Sequence, residues 1–307
     1  MNRRVCAAIS IVALNACAAP TNAVPQFPAA AFRTRVSEPA PTHHIYVANP
    51  NSNSITTYTM KGVQTAPTIT TGIDTPAGTA VDSNGKIYVA NAGNNTVTTY
   101  DPDGTQTTPT ITVKERNIDT GVQDVAVGKN GKIYVLNGSG GQGGDVTTYG
   151  PDGTPLSRFN VTNANSPIFL AVDGNGRVYV TVYFIDNNGP GRVFTFSPDG
   201  KRTTPTLSPI WPWGVAVDAQ GKIYVAAGPG IVTFTPDGKP TQPRIQDHDQ
   251  FGNGLAYGVT VDSRGYIYAA NCASTPCGSI TTYKPDGSKT SPTITQGLAN
   301  PVDVAVH

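Results

Sequence analysis

Two apolar strands joined by a short polar turn make up the segment Gly214-Val215-Ala216-Val217-Asp218-Ala219-Gln220-Gly221-Lys222-Ile223-Tyr224-Val225. The first strand is apolar at almost every position, which is typical of a strand that is buried on both faces. The Asp, Gly and Lys between the strands are typical of a tight turn. The segment therefore predicts an antiparallel hairpin in the interior of a domain.

The same pattern returns along the chain in six units. Their Ile-Tyr-Val-like tripeptides are spaced by 42, 46, 45, 45 and 44 residues and begin at Ile45, Ile87, Ile133, Val178, Ile223 and Ile267. A third strand, a turn and a Thr-rich fourth strand follow, and five of these turns are Pro-Asp-Gly, at Pro102, Pro151, Pro198, Pro236 and Pro285. The fourth strand carries Pro, as an exposed edge strand does. Four short strands in a unit of this length are typical of a propeller blade.

The two ends of the repeat complement each other. The first unit begins directly at Ile45 and lacks an inner strand, whereas residues 300–307 form an inner strand with no unit after it. We therefore predict an all-β fold, a six-bladed β-propeller over residues 43–307. Its ring would close when the C-terminal strand pairs with the first blade.

The composition agrees with an all-β protein that contains many turns. The chain has 33 Gly and 26 Pro, and its only glutamates are Glu38 and Glu115. So few strong helix formers argue against a helical protein. The formal net charge of +1 gives no electrostatic footprint for nucleic acid.

The repeat units resemble NHL repeats, and they are also similar to the repeats of virginiamycin B lyase and of the gluconolactonase family. The resemblance implies a six-bladed propeller. For gluconolactonases it also implies a catalytic metal held by Asn, Asp and Glu, and for the lyase a His base with Glu residues around magnesium. This chain has Trp213 and Tyr257 where gluconolactonase ligands are expected, and none of its four histidines, at 43, 44, 248 and 307, has a Glu nearby in sequence. We therefore favour a non-catalytic propeller without a cofactor, with a metal-dependent hydrolase or lyase as the alternative.

The N-terminal residues indicate export. Basic residues 1–4 precede an apolar stretch at 5–14, which is typical of a signal peptide, here over residues 1–16. Leu14-Asn15-Ala16-Cys17 resembles a bacterial lipobox and implies lipid attachment at Cys17, with cleavage after a small residue and free secretion as the alternative. Residues 17–42 are rich in Ala and Pro, as in a flexible tether. We expect a lipoprotein of the bacterial outer membrane or cell surface, or a secreted protein.

The remaining cysteines, Cys272 and Cys277, lie close together in one loop. In an oxidising compartment, a disulfide between them is the expected state. A metal site is the alternative, although the chain has no second pair of cysteines or histidines to complete it.

Two columns of residues at the start of the inner strands are expected to surround the mouth of the central channel. Alignment of the units gives a first column of Ala77, Gln123, Ile168, Trp213, Tyr257 and Val302. The second column is Gly78, Asp124, Phe169, Gly214, Gly258 and Asp303. Its two carboxylates come from non-adjacent blades and are too few to hold a hard cation.

Aromatic residues concentrate on the same face, where variable loops connect the strands. Both tryptophans of the chain, Trp211 and Trp213, lie there, and Tyr257 and Tyr183 belong to neighbouring blades. Aromatic side chains are enriched at recognition sites. We predict that a ligand binds at Trp211, Trp213, Tyr257, Tyr183, Gln123, Asp124 and Asp303. Alternatively, Trp213 and Tyr257 plug the channel or pack between blades.

The expected partner is a protein, peptide or glycan at the cell envelope, bound by a monomer that contacts the membrane only through its lipid. The charged loops Asp247-His248-Asp249 and Lys114-Glu115-Arg116 and the Gly-rich run 138–144 are interpreted as solvated loops. The turn carboxylates Asp82, Asp173, Asp218 and Asp262 are expected to accept hydrogen bonds from turn amides.

Overall fold

A computed structural model of the protein describes residues 43–113, 121–139, 143–185, 189–228, 230–246, 256–271 and 278–307. These residues form 24 β-strands and one short 3₁₀ helix, Pro50–Ser52. No helix among them has the length and apolar character needed to cross a membrane. Residues 1–42 with Cys17, predicted to form a signal peptide and a tether, and residues 272–277 with Cys272 and Cys277 lie outside the described residues.

The strands follow one another with short connections. The first eleven are β1 (His44–Asn49), β2 (Ser54–Thr59), β3 (Gln64–Ile69), β4 (Pro76–Val81), β5 (Ile87–Asn91), β6 (Thr96–Tyr100), β7 (Gln106–Thr112), β8 (Val122–Val127), β9 (Ile133–Ser139), β10 (Gly143–Tyr149) and β11 (Pro155–Val161). The others are β12 (Asn165–Val172), β13 (Val178–Ile185), β14 (Gly189–Phe196), β15 (Arg202–Leu207), β16 (Pro212–Val217), β17 (Ile223–Ala227), β18 (Gly230–Phe234), β19 (Pro240–Gln246), β20 (Ala256–Val261), β21 (Ile267–Asn271), β22 (Ser279–Tyr283), β23 (Lys289–Ile294) and β24 (Asp303–Val306).

Six four-stranded antiparallel sheets form the blades of a propeller. Blade 1 has the strand order β24-β1-β2-β3, and blades 2 to 6 use β4–β7, β8–β11, β12–β15, β16–β19 and β20–β23 in turn. The C-terminal strand β24 pairs with β1, so that Val306 lies opposite Ile45 and Val304 lies opposite Val47. Both the six-bladed fold and the predicted closure of the ring are confirmed.

The core lies between the blades. Side chains alternate along a strand, so the Ile and Val of each tripeptide face one neighbouring blade while the Tyr faces the other. In blade 2, Ile87 and Val89 pack in a cluster shared with blade 1, whereas Tyr88 packs in a cluster shared with blade 3. Six such clusters join each blade to the next, including blade 6 to blade 1. The repeated tripeptide therefore supplies core residues to both junctions of its blade.

A carboxylate organises the turn before most of the Ile-Tyr-Val strands. In blade 5, Asp218 accepts hydrogen bonds from the backbone amides of Gln220 and Lys222, both at 2.9 Å, and from the Tyr224 hydroxyl at 3.0 Å. Burial raises the pKa of Tyr224, and the charge of Asp218 raises it further. The same bonds recur at Asp82, Asp173 and Asp262. The predicted role of these carboxylates is confirmed.

A second set of contacts joins the blades near their outer edge. In each blade, the glycine of the turn between the third and fourth strands lies against the fourth strand of the preceding blade. The contacted residue is a proline in five cases and Phe159 in the sixth. The six pairs are Gly62 with Pro292, Gly104 with Pro67, Gly153 with Pro109, Gly200 with Phe159, Gly238 with Pro205, and Gly287 with Pro243. No side chain larger than hydrogen fits at these glycines without displacing its neighbour.

Candidate functional site

Three aromatic side chains from consecutive blades meet at one end of the channel. Tyr183 lies in β13 of blade 4, Trp213 in β16 of blade 5 and Tyr257 in β20 of blade 6. The ring centre of Trp213 is 4.9 Å from that of Tyr183 and 4.5 Å from that of Tyr257, with both pairs of rings inclined by 47°. We call these three residues the aromatic row. The structure thus brings together three of the residues predicted to bind a ligand.

A β-bulge places the first-column residues at the mouth. In blades 2, 3, 4 and 6, the pairing of the inner strand with its neighbour skips one residue at this position, and in blade 5 it skips Trp213 and Gly214. The skipped first-column residues are Ala77, Gln123, Ile168, Trp213 and Tyr257, and each of the five is half-buried. Bulges of this kind redirect a side chain out of the regular pleat. They explain why residues in an otherwise buried strand keep part of their surface exposed.

The structure separates the two tryptophans. Trp213 packs partly against the core cluster between blades 5 and 6, whereas 54% of Trp211 is exposed. Trp211 has a left-handed backbone with φ of 49°, and its carbonyl oxygen accepts a hydrogen bond of 3.2 Å from the amide of Gly228. No aromatic ring among the described residues pairs with it. With its exposed neighbour Ile210, it forms a rim beside the aromatic row.

Phe184 adds a fourth aromatic ring beside Tyr183 in blade 4. Its ring lies edge-on to Tyr183 with the centres 4.3 Å apart, and 36% of the residue is exposed. Phe184 was not among the residues predicted from the sequence to bind a ligand. Phe184 directly follows Tyr183 in the sequence, and this adjacency is the signal that could have identified it as a binding residue.

Asp124 and Asp303 form bridges between blades in the second column. The Oδ2 atom of Asp303 accepts a hydrogen bond from the Thr79 amide in blade 2, and that of Asp124 accepts one from the Leu170 amide in blade 4, both at 2.8 Å. Asp124 also accepts a bond from the amide of Val125. The two residues are only 4% and 7% exposed. Each carboxylate therefore links the inner strand of its own blade to the inner strand of the next.

The environment of these carboxyl groups disfavours their charge. Burial raises the pKa of both above the ordinary aspartate value, to about 7 for Asp303. The charge of Asp303 raises the pKa of Asp124 further, although hydrogen bonds from backbone amides partly offset the shift. Both residues line a cavity of about 270 Å³ that the six inner strands enclose.

Gln123 lies in β8 of blade 3, next to the blade that carries Tyr183. Its side-chain amide donates a hydrogen bond of 3.2 Å to the carbonyl oxygen of Gly121. The predicted polar loops Asp247-His248-Asp249 and Lys114-Glu115-Arg116, and part of the Gly-rich run, lie outside the described residues. Within the described ranges, no three or more His, Cys, Asp or Glu side chains come together in a group that could hold a metal ion.

Comparison with known proteins supports the fold. The NHL repeat family matches residues 74–100, which run from the end of the loop before β4 to the end of β6. A search of curated proteins found no match to the chain. A crystal structure of a protein of unknown function from Bacteroides caccae has a TM-score of 0.66 and 14% identity, with 86% of this chain and 98% of that chain covered.

Two solved lyase structures are also similar to this chain. A streptogramin B lyase structure has a TM-score of 0.62 and 16% identity, covering 85% of this chain and 83% of that one. Virginiamycin B lyase from Staphylococcus aureus has a TM-score of 0.55 and 14% identity, covering 85% and 78%. At these identities the similarity establishes the propeller fold and says nothing about activity.

Proposed function

We propose that this propeller is a non-catalytic protein that binds a protein, peptide or glycan with its loop face. The aromatic row is the observation that carries the proposal. Rings that served only to fill the core would be fully buried, but Tyr183, Trp213 and Tyr257 are each half-buried and keep surface available for a ligand. Tyr and Trp supply large, rigid contact areas with a polar edge, which suits them to recognition.

The carboxylates give less support to a metal-dependent hydrolase or lyase. Oxygen atoms of Asp124 and Asp303 already accept hydrogen bonds from backbone amides of neighbouring blades. A hard divalent cation needs several convergent oxygen ligands, and these two side chains are the only carboxylates lining the described channel. Their position is better explained by a role in holding the inner strands together.

The binding site can be tested with glycan and peptide arrays probed by the wild-type protein and by the Trp213→Ala variant. Trp213 is at the centre of the row, and central aromatic residues dominate binding energy at interfaces. We expect its removal to weaken binding to any array ligand by about 30-fold, which corresponds to about 2 kcal/mol. Trp211→Ala should have a smaller effect because Trp211 is 54% exposed and no described aromatic ring pairs with it.

Tyr266→Ala is the matched control because Tyr266 is a half-buried aromatic residue at the turn end of blade 6. Trp213→Phe keeps a ring in the row and should retain most of the binding. Thermal melts would establish that each variant is folded at the assay temperature. Unchanged binding by folded Trp213→Ala protein would exclude the aromatic row as the site.

The location at the cell envelope is a separate proposal that depends on the N-terminal sequence. Metabolic labelling with a palmitate analogue should modify the wild-type protein and leave Cys17→Ser unlabelled. Labelling that persists in the variant would rule out Cys17 as the lipid acceptor, and an unlabelled wild-type protein recovered from the medium would indicate free secretion.

A further inference from the structure

The channel beneath the aromatic row carries acidic side chains without a cationic partner. Its lining includes Asp124 and Asp303, and none of the lining residues is Lys, Arg or His. The two carboxyl groups accept hydrogen bonds from backbone amides, and these bonds compensate only part of a full negative charge. Their raised pKa values reflect the same lack of compensation. Any positive charge brought to this place would be attracted to the ionised carboxylates.

A neighbouring hydroxyl group in the same lining is also without a partner. Thr79 is 5% exposed, and its Oγ1 atom has no hydrogen-bond partner among the described residues. Its backbone amide is the donor to Asp303, so the hydroxyl belongs to the residue that the carboxylate contacts. A buried hydroxyl without a partner is destabilising, and a polar ligand group would relieve this penalty.

The aromatic row lies one residue away along the inner strands. Trp213 and Tyr257 directly precede Gly214 and Gly258, and a Cβ atom added to Gly258 would lie 2.7 Å from Oδ1 of Asp303. The faces of Trp and Tyr rings carry negative electrostatic potential and attract cations. The aromatic faces and the carboxylates belong to adjacent positions of the inner strands, and both favour a positively charged ligand.

We propose that the ligand of the aromatic row carries a positively charged ammonium or guanidinium group that lies over the channel mouth, between the row and the Asp124–Asp303 pair. This inference rests on the proposed binding function and names the chemical class of the ligand. Such a group occurs both in small organic cations and in the basic side chains of peptides. Because the ionised carboxylates attract the cation, binding releases protons and the affinity increases with pH.

Choline and its neutral isostere 3,3-dimethylbutan-1-ol are matched probes for this proposal. They have the same shape and differ in charge, so titration of the full chain, followed by calorimetry, isolates the electrostatic contribution. We expect choline to bind about tenfold more tightly than the alcohol at pH 8. The preference should decrease at pH 6, where more of the carboxyl groups are protonated.

N-Acetyl-lysine amide and the neutral N-acetyl-norleucine amide form a second pair, which represents a peptide side chain. A preference for charge within only one pair identifies the source of the cation. Asp303→Asn should reduce the preference for the charged probes and change its pH dependence, because only Asp124 remains to ionise, while Trp213→Leu should weaken all cationic probes by about tenfold. Since Asp303 also bridges two blades, thermal melts must show that the variant is folded.

Equal affinity of the wild-type protein for the charged and neutral probes would overturn this proposal, and so would the absence of any binding by both cations. The comparison of charged and neutral probes on the wild-type protein tests the proposal even if Asp303→Asn fails to fold. A neutral array ligand that depends on Trp213 but is unaffected by Asp303→Asn would refute the cationic ligand and leave the proposed binding function intact. Loss of the Trp213 dependence itself would refute the binding site.

Discussion

Removal of residues 300–307 is expected to abolish cooperative folding of the ring. The deletion takes away β24, the inner strand of blade 1, and leaves the edge of β1 unpaired. It also removes Val304 from the core cluster between blades 6 and 1 and Asp303 from its bond to Thr79. Burial of one Val contributes about 1.5–3 kcal/mol, so a strand with several apolar residues is worth about 5 kcal/mol or more. That is comparable to the whole stability of an ordinary domain.

Circular dichroism during heating and urea titration would measure this effect. Val304→Asn is a milder variant that places a polar side chain at a position only 2% exposed. Val306→Asn is its matched control, because Val306 lies in the same strand but is half-buried. We expect a large loss of Tm for Val304→Asn and a small one for Val306→Asn. A truncated chain that keeps the wild-type Tm would contradict closure of the ring by β24.

Gly214→Ala is expected to destabilise the protein by about 2–3 kcal/mol through overpacking between two inner strands. A Cβ atom at this position would lie 2.5 Å from the carbonyl oxygen of Tyr257 and 2.9 Å from the amide nitrogen of Val259. Both atoms belong to the backbone of β20, so the clash cannot be relieved by rotation of a side chain. The inner strands of blades 5 and 6 would have to separate.

Urea denaturation of Gly214→Ala should be compared with that of Gly128→Ala. At Gly128, the nearest atom to an added Cβ is Oδ1 of Asn130 at 3.1 Å, the end of a side chain that can move. The control should therefore change stability by less than about 1 kcal/mol. Because Gly214 adjoins Trp213, a shift in tryptophan fluorescence is also expected for Gly214→Ala. Equal stability of the two variants would show that the inner strands tolerate wider spacing.

The fold could be predicted almost completely from the sequence because the determining interactions recur. Apolar residues recur at fixed positions in all six units, such as those around Ile223 in blade 5. Each occurrence independently predicts a buried strand. The missing inner strand at the start and the extra one at the end then define how the ring closes. Local pattern and global topology agree throughout, as expected for a repeat protein.

The candidate site could be predicted only in part. Alignment of the units correctly placed Trp213 and Tyr257 side by side, because both occupy the same position in consecutive blades. The contact of Tyr183 with Trp213 depends on the paths of two different strands, and no repeat position specifies it. The bridges made by Asp124 and Asp303 were not predicted. Their hydrogen-bond partners are backbone amides of another blade, and almost any residue type supplies such an amide, so the sequence carries no signal for the contact.

The six turn glycines that lie against the preceding blade make the outer parts of the six blade junctions nearly equivalent. A duplicated or exchanged unit would meet a proline, or Phe159, in the same position as the unit that it replaced. The blades can therefore act as interchangeable modules during evolution, while the loops at the opposite end diverge one at a time. New ligand specificity could arise in this architecture through changes in the loops of a single blade, without compensating substitutions in its neighbours.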